Sequence, residues 1–144
     1  MKQLFCISLL FVAAVAATPA WAQQAGPELV EAAVTAYNDH DLAYFEQRLA
    51  DDVVWLDEDG HIMNGKTTVL GFLRLQFNQT PRRTLSVSNV SVNGTSDAAW
   101  TTFEYMIMGG EAHIMGLNTT VYRRAGNDWQ IALVHGAFNA ESDH

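Results

Sequence analysis

The order of its periodic segments is what most constrains the fold of this chain. Three helices are predicted from apolar residues at helical spacing, over residues 29–37, 42–49 and 69–77. After Pro81 apolar and polar residues alternate, and four strands are predicted over residues 84–92, 98–108, 112–124 and 129–138. Because helices and strands are segregated along the chain, we predict an α+β fold with an antiparallel meander rather than a βαβ sheet.

A short β ribbon is predicted between the second and third helices. Residues 53–56 form its first strand, residues 57–60 its turn, and residues 61–63 a brief return strand. Asp41 is a candidate N-cap for the second helix and Thr67 for the third. The pair Gly109-Gly110 predicts a tight hairpin inside the meander.

The first 22 residues have the three-part pattern of a secretory signal peptide. Lys2 supplies a short positive region, residues 4–17 are almost entirely apolar, and residues 20–22 (Ala-Trp-Ala) form a cleavage site. The apolar run is shorter than the roughly 18 residues that a membrane-spanning helix needs. We therefore predict a signal peptide over residues 1–22, one domain over residues 23–144, and a periplasmic or secreted protein.

The composition argues against several functional classes. The chain has 8 basic and 16 acidic residues, and loss of Lys2 with the signal peptide makes it more acidic still. Such a surface repels nucleic acid and anionic membranes, so we predict neither as a partner. The only cysteine, Cys6, lies in the predicted signal peptide, so the domain depends on packing. No metal, phosphate or dinucleotide motif occurs in the sequence, and we predict no metal and no cofactor.

A series of short motifs follows in a characteristic order. An Asp-Leu turn at residues 41–42 precedes the second helix, an Asp-Asp-Val-Val-Trp strand ends at Trp55, and Gly65-Lys66 opens the third helix. Later come Thr-Thr-Val-Tyr-Arg-Arg at residues 119–124, Trp-Gln-Ile at residues 129–131, and His135. Together these motifs resemble the nuclear transport factor 2-like (NTF2-like) superfamily, SnoaL-like branch, over about residues 28–139.

The resemblance implies three N-terminal helices packed in a cone that is formed by a curved, mainly antiparallel sheet, with a pocket inside. It also implies homodimers through the outer face of the sheet. It does not imply one reaction, because the superfamily includes ketosteroid isomerase, polyketide cyclases and non-catalytic binding or assembly domains. Function therefore has to be argued from the pocket.

Alternation along each strand sorts the side chains of the meander into faces. The last strand is expected to present on one face Trp129, Ile131, Leu133 and His135. The strand before it groups His113, Met115 and Leu117, and the second strand groups Trp100, Glu104 and Met106. Which face points into the cone stays open at this stage, and a bulge would invert the assignment.

Four polar side chains are candidates for acid–base catalysis: Asp57, His61, Glu104 and His135. A carboxylate beside an aromatic ring in a dry cavity acquires a raised pKa, and Asp57 follows Trp55 on the same side of its strand. Imidazoles titrate near neutrality, which suits proton transfer. Each candidate also has a structural interpretation, as a residue of a solvated turn, of the packed core or of the outer sheet face.

Five further side chains are candidates for ligand binding. Tyr37 and Tyr105 can donate hydrogen bonds to a ligand oxygen, and Trp55 can form a pocket wall. His113 and Met115 are included because an imidazole and a flexible thioether suit an adaptable surface for an apolar molecule.

Two functional hypotheses follow. The first is an exported protein that binds a small apolar molecule and isomerises, cyclises, dehydrates or hydrolyses it by cofactor-free acid–base chemistry. The second is a non-catalytic module for ligand binding or homo-oligomeric assembly. Outward positions of both Glu104 and His135, or a cavity with apolar side chains alone, would decide for the second hypothesis.

Overall fold

The computed structural model describes residues 25–109 and 112–138. The elements are, in chain order, α1 (Glu28–Asp39), α2 (Leu42–Arg48), β1 (Leu49–Leu56), β2 (Ile62–Asn64), α3 (Lys66–Phe77), β3 (Thr84–Gly94), β4 (Ala98–Gly109), β5 (Ala112–Ala125) and β6 (Asp128–Phe138). This order confirms the predicted α+β fold. The predicted signal peptide and Gly110 of the predicted hairpin lie outside the described residues. Within these residues, no helix combines the length and the apolar character that a membrane crossing requires.

All six strands join one sheet in the order β2-β1-β6-β5-β4-β3. The strands β3 to β6 form the predicted antiparallel meander. One pairing was not predicted: β1 lies parallel to β6, with Leu56 opposite His135. This pairing brings the ribbon to the edge of the meander, so the turn that follows β1 lies beside the end of β6.

The helices begin and end where local chemistry dictates. The Asp41 carboxylate accepts a hydrogen bond from the Tyr44 amide at 3.1 Å, which confirms Asp41 as the N-cap of α2. His40, in the left-handed conformation with φ 57°, ends α1. The predicted cap at Thr67 is wrong, because α3 already begins at Lys66 after Gly65. Gly65 has φ 84°, a conformation that glycine adopts without steric cost.

The core lies between the helices and the concave face of the sheet. Buried side chains from α2, β1, α3 and the meander pack into one cluster, which includes Phe45, Leu49, Val69, Leu73 and Ile131. Burial of each large apolar side chain contributes about 1.5–3 kcal/mol. Because the domain has no cysteine, this packing carries its stability.

A bulge in β6 changes which side chains face the core. On β5, Val121 is opposite Leu133 and the next residue is opposite Ile131, so one residue of β6 is left over. After this point the parity inverts, and Val134 is buried while His135 is exposed. The predicted common face of Trp129, Ile131, Leu133 and His135 is therefore wrong beyond Ile131, because the extra residue turns the strand over.

Candidate functional site

A cavity of about 110 Å³ lies between α1 and the concave face of the sheet and is partly open to solvent. Most of its wall is apolar, with Val30, Phe45, Trp55, Phe103, Ile131 and Val134 among the lining residues. The polar lining residues are Tyr37, Glu58, Tyr105, Asn118, Thr120 and Tyr122. A mostly apolar cavity with a few converging polar groups is the usual form of a small-molecule site.

Glu58 contributes the carboxylate of this cavity. The strand β1 ends at Leu56, and a tight turn follows in which the Gly60 amide donates to the Asp57 carbonyl at 3.1 Å. Gly60 has φ 83°, which favours glycine at this point. Since the turn rotates the chain out of strand geometry, Glu58 and not Asp57 reaches the cavity.

Asp57 holds the turn in place instead. Its Oδ1 accepts hydrogen bonds from the amides of Asp59 at 3.1 Å and of His61 at 2.8 Å. Its Oδ2 lies 3.0 Å from Nδ1 of His61. Burial raises the pKa of Asp57, but the hydrogen bonds from His61 outweigh this effect and hold the pKa below its usual value. The hydrogen bond to Asp57 in turn raises the pKa of the exposed His61.

The contact between Asp57 and His61 predicts that the charge of the His61 imidazole persists to higher pH than usual. An NMR titration of the His61 imidazole is expected to give a midpoint above the usual value of about 6.5. The ion pair is then fully formed at pH values below the usual imidazole pKa and above the lowered pKa of Asp57. It is lost as the pH rises through the raised pKa of His61 or falls through the lowered pKa of Asp57. Asp57→Asn retains an acceptor for the two amides but removes the charge, so it is expected to lower the midpoint. Identical midpoints in the two proteins would contradict this pairing.

Two tyrosine hydroxyls face the same region as Glu58. The hydroxyl of Tyr105 is buried and has no hydrogen-bond partner among the described residues. Burial, together with the negative charge of Glu58, raises the pKa of Tyr105 to about 12. Burial also raises the pKa of Tyr37, against the opposing effect of Arg83, and Glu58 adds to the rise. Both hydroxyls are therefore protonated at neutral pH and available as donors.

Asn118 adds a further polar group to the cavity. Its Oδ1 accepts a hydrogen bond from the Thr120 hydroxyl at 2.8 Å. This contact orients the amide and leaves its Nδ2 group available to donate to a ligand. Asn118 pairs with Phe103 on β4 and Gly136 on β6, so it lies in the middle of the inner sheet face.

Only some of the candidate side chains identified from the sequence line the cavity. Tyr37, Trp55 and Tyr105 line the cavity, and their role as ligand-binding groups stays a prediction. Four other candidates are exposed and do not line the cavity: Glu104, His113, Met115 and His135.

Glu104 has polar partners on the outer face of the sheet. Its Oε2 accepts hydrogen bonds from Asn89 at 2.8 Å and Ser88 at 3.3 Å.

Asp57 and His61 lie in the turn, next to the cavity but not in its wall. The nine candidates therefore do not form one site, and Glu58, the carboxylate inside the cavity, was not among them.

One group of described residues has metal-binding donors close together. The ligand atoms of Asp57, Asp59 and His61 lie within 4.8 Å of one another. Asp59 and His61 are exposed, and hydrogen bonds within the turn account for the position of Asp57. Nothing in this arrangement calls for a metal ion.

Comparison with known proteins agrees with this architecture. The model of the SnoaL-like domain family matches residues 27–141. No functionally curated protein is detectably similar to the chain.

Solved structures share the fold at low sequence identity. An NTF2-like protein of unknown function from Pseudomonas putida KT2440 is 22% identical with a TM-score of 0.71, over 79% of this chain and 85% of its own. A "putative ketosteroid isomerase" from Parabacteroides distasonis is 20% identical with a TM-score of 0.69, over 83% and 92%. A "putative calcium/calmodulin-dependent protein kinase type II association domain" from Thiobacillus denitrificans is 25% identical with a TM-score of 0.67, over 78% and 94%.

The family match spans nearly the whole of the described chain, and the helices and the curved sheet follow the order of the NTF2-like structures. The chain therefore belongs to the SnoaL-like domain family and has the NTF2-like fold.

Proposed function

We propose that this protein binds a small, mostly apolar molecule that carries an oxygen function, and that Glu58 transfers a proton to or from it without a cofactor. One observation carries the proposal. Glu58 and the unpartnered hydroxyl of Tyr105 lie together in a cavity whose wall is otherwise mostly apolar. Because this hydroxyl has no hydrogen-bond partner among the described residues, it is available to donate to a bound molecule.

The two groups have complementary chemical roles. Glu58 accepts a proton from the bound molecule as a general base, and it returns the proton as a general acid. Tyr105 donates a hydrogen bond to the oxygen on which negative charge develops, and Asn118 is a second donor in the same cavity. Such donors act strongly where water is excluded, because the local dielectric constant is low.

The cavity volume limits the ligand. At about 110 Å³ it is somewhat smaller than the roughly 150 Å³ apolar cavity that accepts a benzene ring. The reacting part of the molecule is therefore a single ring or a short chain, and any larger part extends through the open side. The similarity to a protein named as a ketosteroid isomerase supports acid–base chemistry of this kind.

The positions of Glu104 and His135 bear on the choice between the two functional hypotheses. Glu104 and His135 both face outward, and by the criterion drawn from the sequence this decides for a non-catalytic module. The criterion did not include Glu58, whose carboxylate makes the cavity more than an apolar space. We therefore retain acid–base catalysis as the proposal and non-catalytic binding as the alternative.

Two measurements test the proposal. Native mass spectrometry of the protein from its own host reads both a retained ligand and the mature N-terminus, which we propose is Gln23 after export. NMR in D₂O then follows exchange of the α-hydrogens of cyclohexanone and of acetone, as probes of proton transfer. Exchange catalysed by the protein supports the enzyme proposal. A tightly bound ligand with no exchange of either probe would instead support the non-catalytic alternative.

We also propose that the outer face of the sheet forms a homodimer. This face exposes large apolar side chains on β4 and β5, among them Trp100 at 45%, Met108 at 40%, Met115 at 39% and Leu117 at 54%. Several large apolar side chains exposed on one face commonly mark an interface. The similarity to a protein named as an association domain supports assembly.

Leu117→Glu is expected to convert the dimer to a monomer, because it removes the most exposed of these apolar side chains and places a second carboxylate opposite Glu104 on the outer face. Light scattering after size-exclusion chromatography measures the change in mass. Leu75→Glu is the matched control, since Leu75 is 70% exposed but lies on α3, away from the sheet face. A monomeric wild-type protein, or a dimer that survives Leu117→Glu, would contradict this interface.

A further inference from the structure

Gly136 lies on β6 where Tyr105 and Glu58 approach each other. A Cβ atom built on Gly136 would be 3.6 Å from the Tyr105 hydroxyl and 3.7 Å from Oε2 of Glu58. The hydroxyl and the carboxylate thus converge on the one position where β6 has no side chain. Gly136 itself is buried and lines the cavity.

The backbone does not require glycine at this position. The described glycines with positive φ are Gly60, Gly65 and Gly126, so Gly136 has a conformation that other residues adopt. The nearest atoms to its added Cβ are at ordinary van der Waals distances of 3.6–3.8 Å. Glycine in a strand lowers stability relative to alanine. The absence of a side chain at Gly136 is therefore explained by the cavity and not by the strand.

Gly116 on β5 provides the contrast. A Cβ atom there would collide with the Ala137 carbonyl oxygen and would lie 2.7 Å from the Tyr105 hydroxyl. Glycine is thus needed at Gly116, because the Tyr105 ring lies across it. Gly116 makes room for the Tyr105 ring, whereas the space above Gly136 is not occupied by that ring.

We infer that Gly136 determines the specificity of the cavity: the space above it holds the oxygen-bearing end of the ligand, between the Tyr105 hydroxyl and the Glu58 carboxylate. This inference rests on the proposed function. A group that fits must accept a hydrogen bond on one side and present an acidic hydrogen on the other. A ketone of single-ring size has both features, in its carbonyl oxygen and its α-hydrogens. A ligand carboxylate does not fit, because it would face the negative charge of Glu58.

The proposed proton transfer conserves atoms and electrons at each step. The α-carbon–hydrogen bond breaks, the proton moves to Glu58, and the electron pair forms an enolate whose oxygen accepts a hydrogen bond from Tyr105. The Glu58 carboxyl then exchanges its proton for a deuteron from D₂O, and transfer of this deuteron to carbon completes the exchange, so no oxidant or reductant is needed.

Gly136→Ala tests the inference with two ketones of different size. The added methyl group occupies the proposed site of the ring next to the carbonyl, so exchange of cyclohexanone is expected to fall by about tenfold or more. Acetone is smaller, and its exchange is expected to change much less. The ratio of the two rates is the readout. Gly71→Ala is the matched control, since a Cβ atom on Gly71 in α3 has no neighbour within 4 Å.

The outcomes separate the inference from the proposed function. If the wild-type protein catalyses exchange that depends on Glu58 but Gly136→Ala leaves the ratio unchanged, the inference is overturned and the function stands. If the wild-type protein exchanges neither ketone, the proposed function itself fails. Should Gly136→Ala not fold, intermolecular NOEs from bound cyclohexanone to the Gly136 α-hydrogens in the wild-type protein decide the matter. Their presence supports the inference, and their absence overturns it.

Discussion

Glu58→Gln is expected to lower the rate of proton exchange by a factor of about 10² to 10⁴, the usual contribution of a general base. Glutamine has almost the same shape as glutamate but does not accept a proton at neutral pH. The cavity keeps its volume, so the affinity for the ketone is expected to change far less than the rate. Exchange rates and dissociation constants measured by NMR on the same samples separate these two effects.

Glu46→Gln is the matched control for this substitution. Glu46 lies on α2, is exposed, and does not line the cavity, so its loss changes the net charge by the same amount without touching the site. Equal losses of rate in the two variants would point to a general electrostatic effect. An unchanged rate in Glu58→Gln would remove Glu58 from the mechanism and leave the cavity as a binding site.

Tyr105→Phe is expected to change rate and stability in opposite directions. Loss of a donor to a developing oxyanion lowers rates by about 10² to 10³, so exchange is expected to fall by that order. The same change removes a buried hydroxyl that has no partner, so the free energy of unfolding is expected to rise by about 1 kcal/mol or to stay the same. A residue that serves packing alone would not show this combination.

Denaturant unfolding and the ketone exchange assay check the two halves of this prediction. Tyr44→Phe is the control, because Tyr44 is half-buried on α2 and does not line the cavity. A clear loss of stability in Tyr105→Phe would show that the hydroxyl is satisfied in solution. Full exchange activity in that variant would remove Tyr105 from the proposed role.

Local patterns were sufficient to predict the elements of the fold. Helical spacing and strand alternation are properties of short segments, and they predicted three helices, the ribbon and the meander in the observed order. The cap at Asp41 was predictable for the same reason, because it contacts Tyr44, only three residues away. Tyr37 and Tyr105 were predicted to donate hydrogen bonds to a ligand, and Trp55 to form a pocket wall. All three line the cavity, and their roles in binding stay predictions.

The site carboxylate was not predictable from parity. Extending the alternation of β1 favours Asp57, which is two residues after Trp55. The strand ends at Leu56, and the following turn is stabilised by hydrogen bonds that no periodic pattern encodes. Three acidic residues in one turn are equivalent in the sequence, and only the path of the turn selects Glu58.

The sequence by itself determined the order and type of the elements, because each depends on residues a few positions apart. The tertiary structure decided which side chains meet. The bulge in β6 turned His135 outward and Gly136 inward, because one extra residue inverts all the alternation that follows. The parallel pairing of β1 with β6 then brought Glu58 next to Gly136 and Tyr105. Contacts between residues so far apart in the chain are set by the packing of the whole sheet, which short-range patterns do not contain.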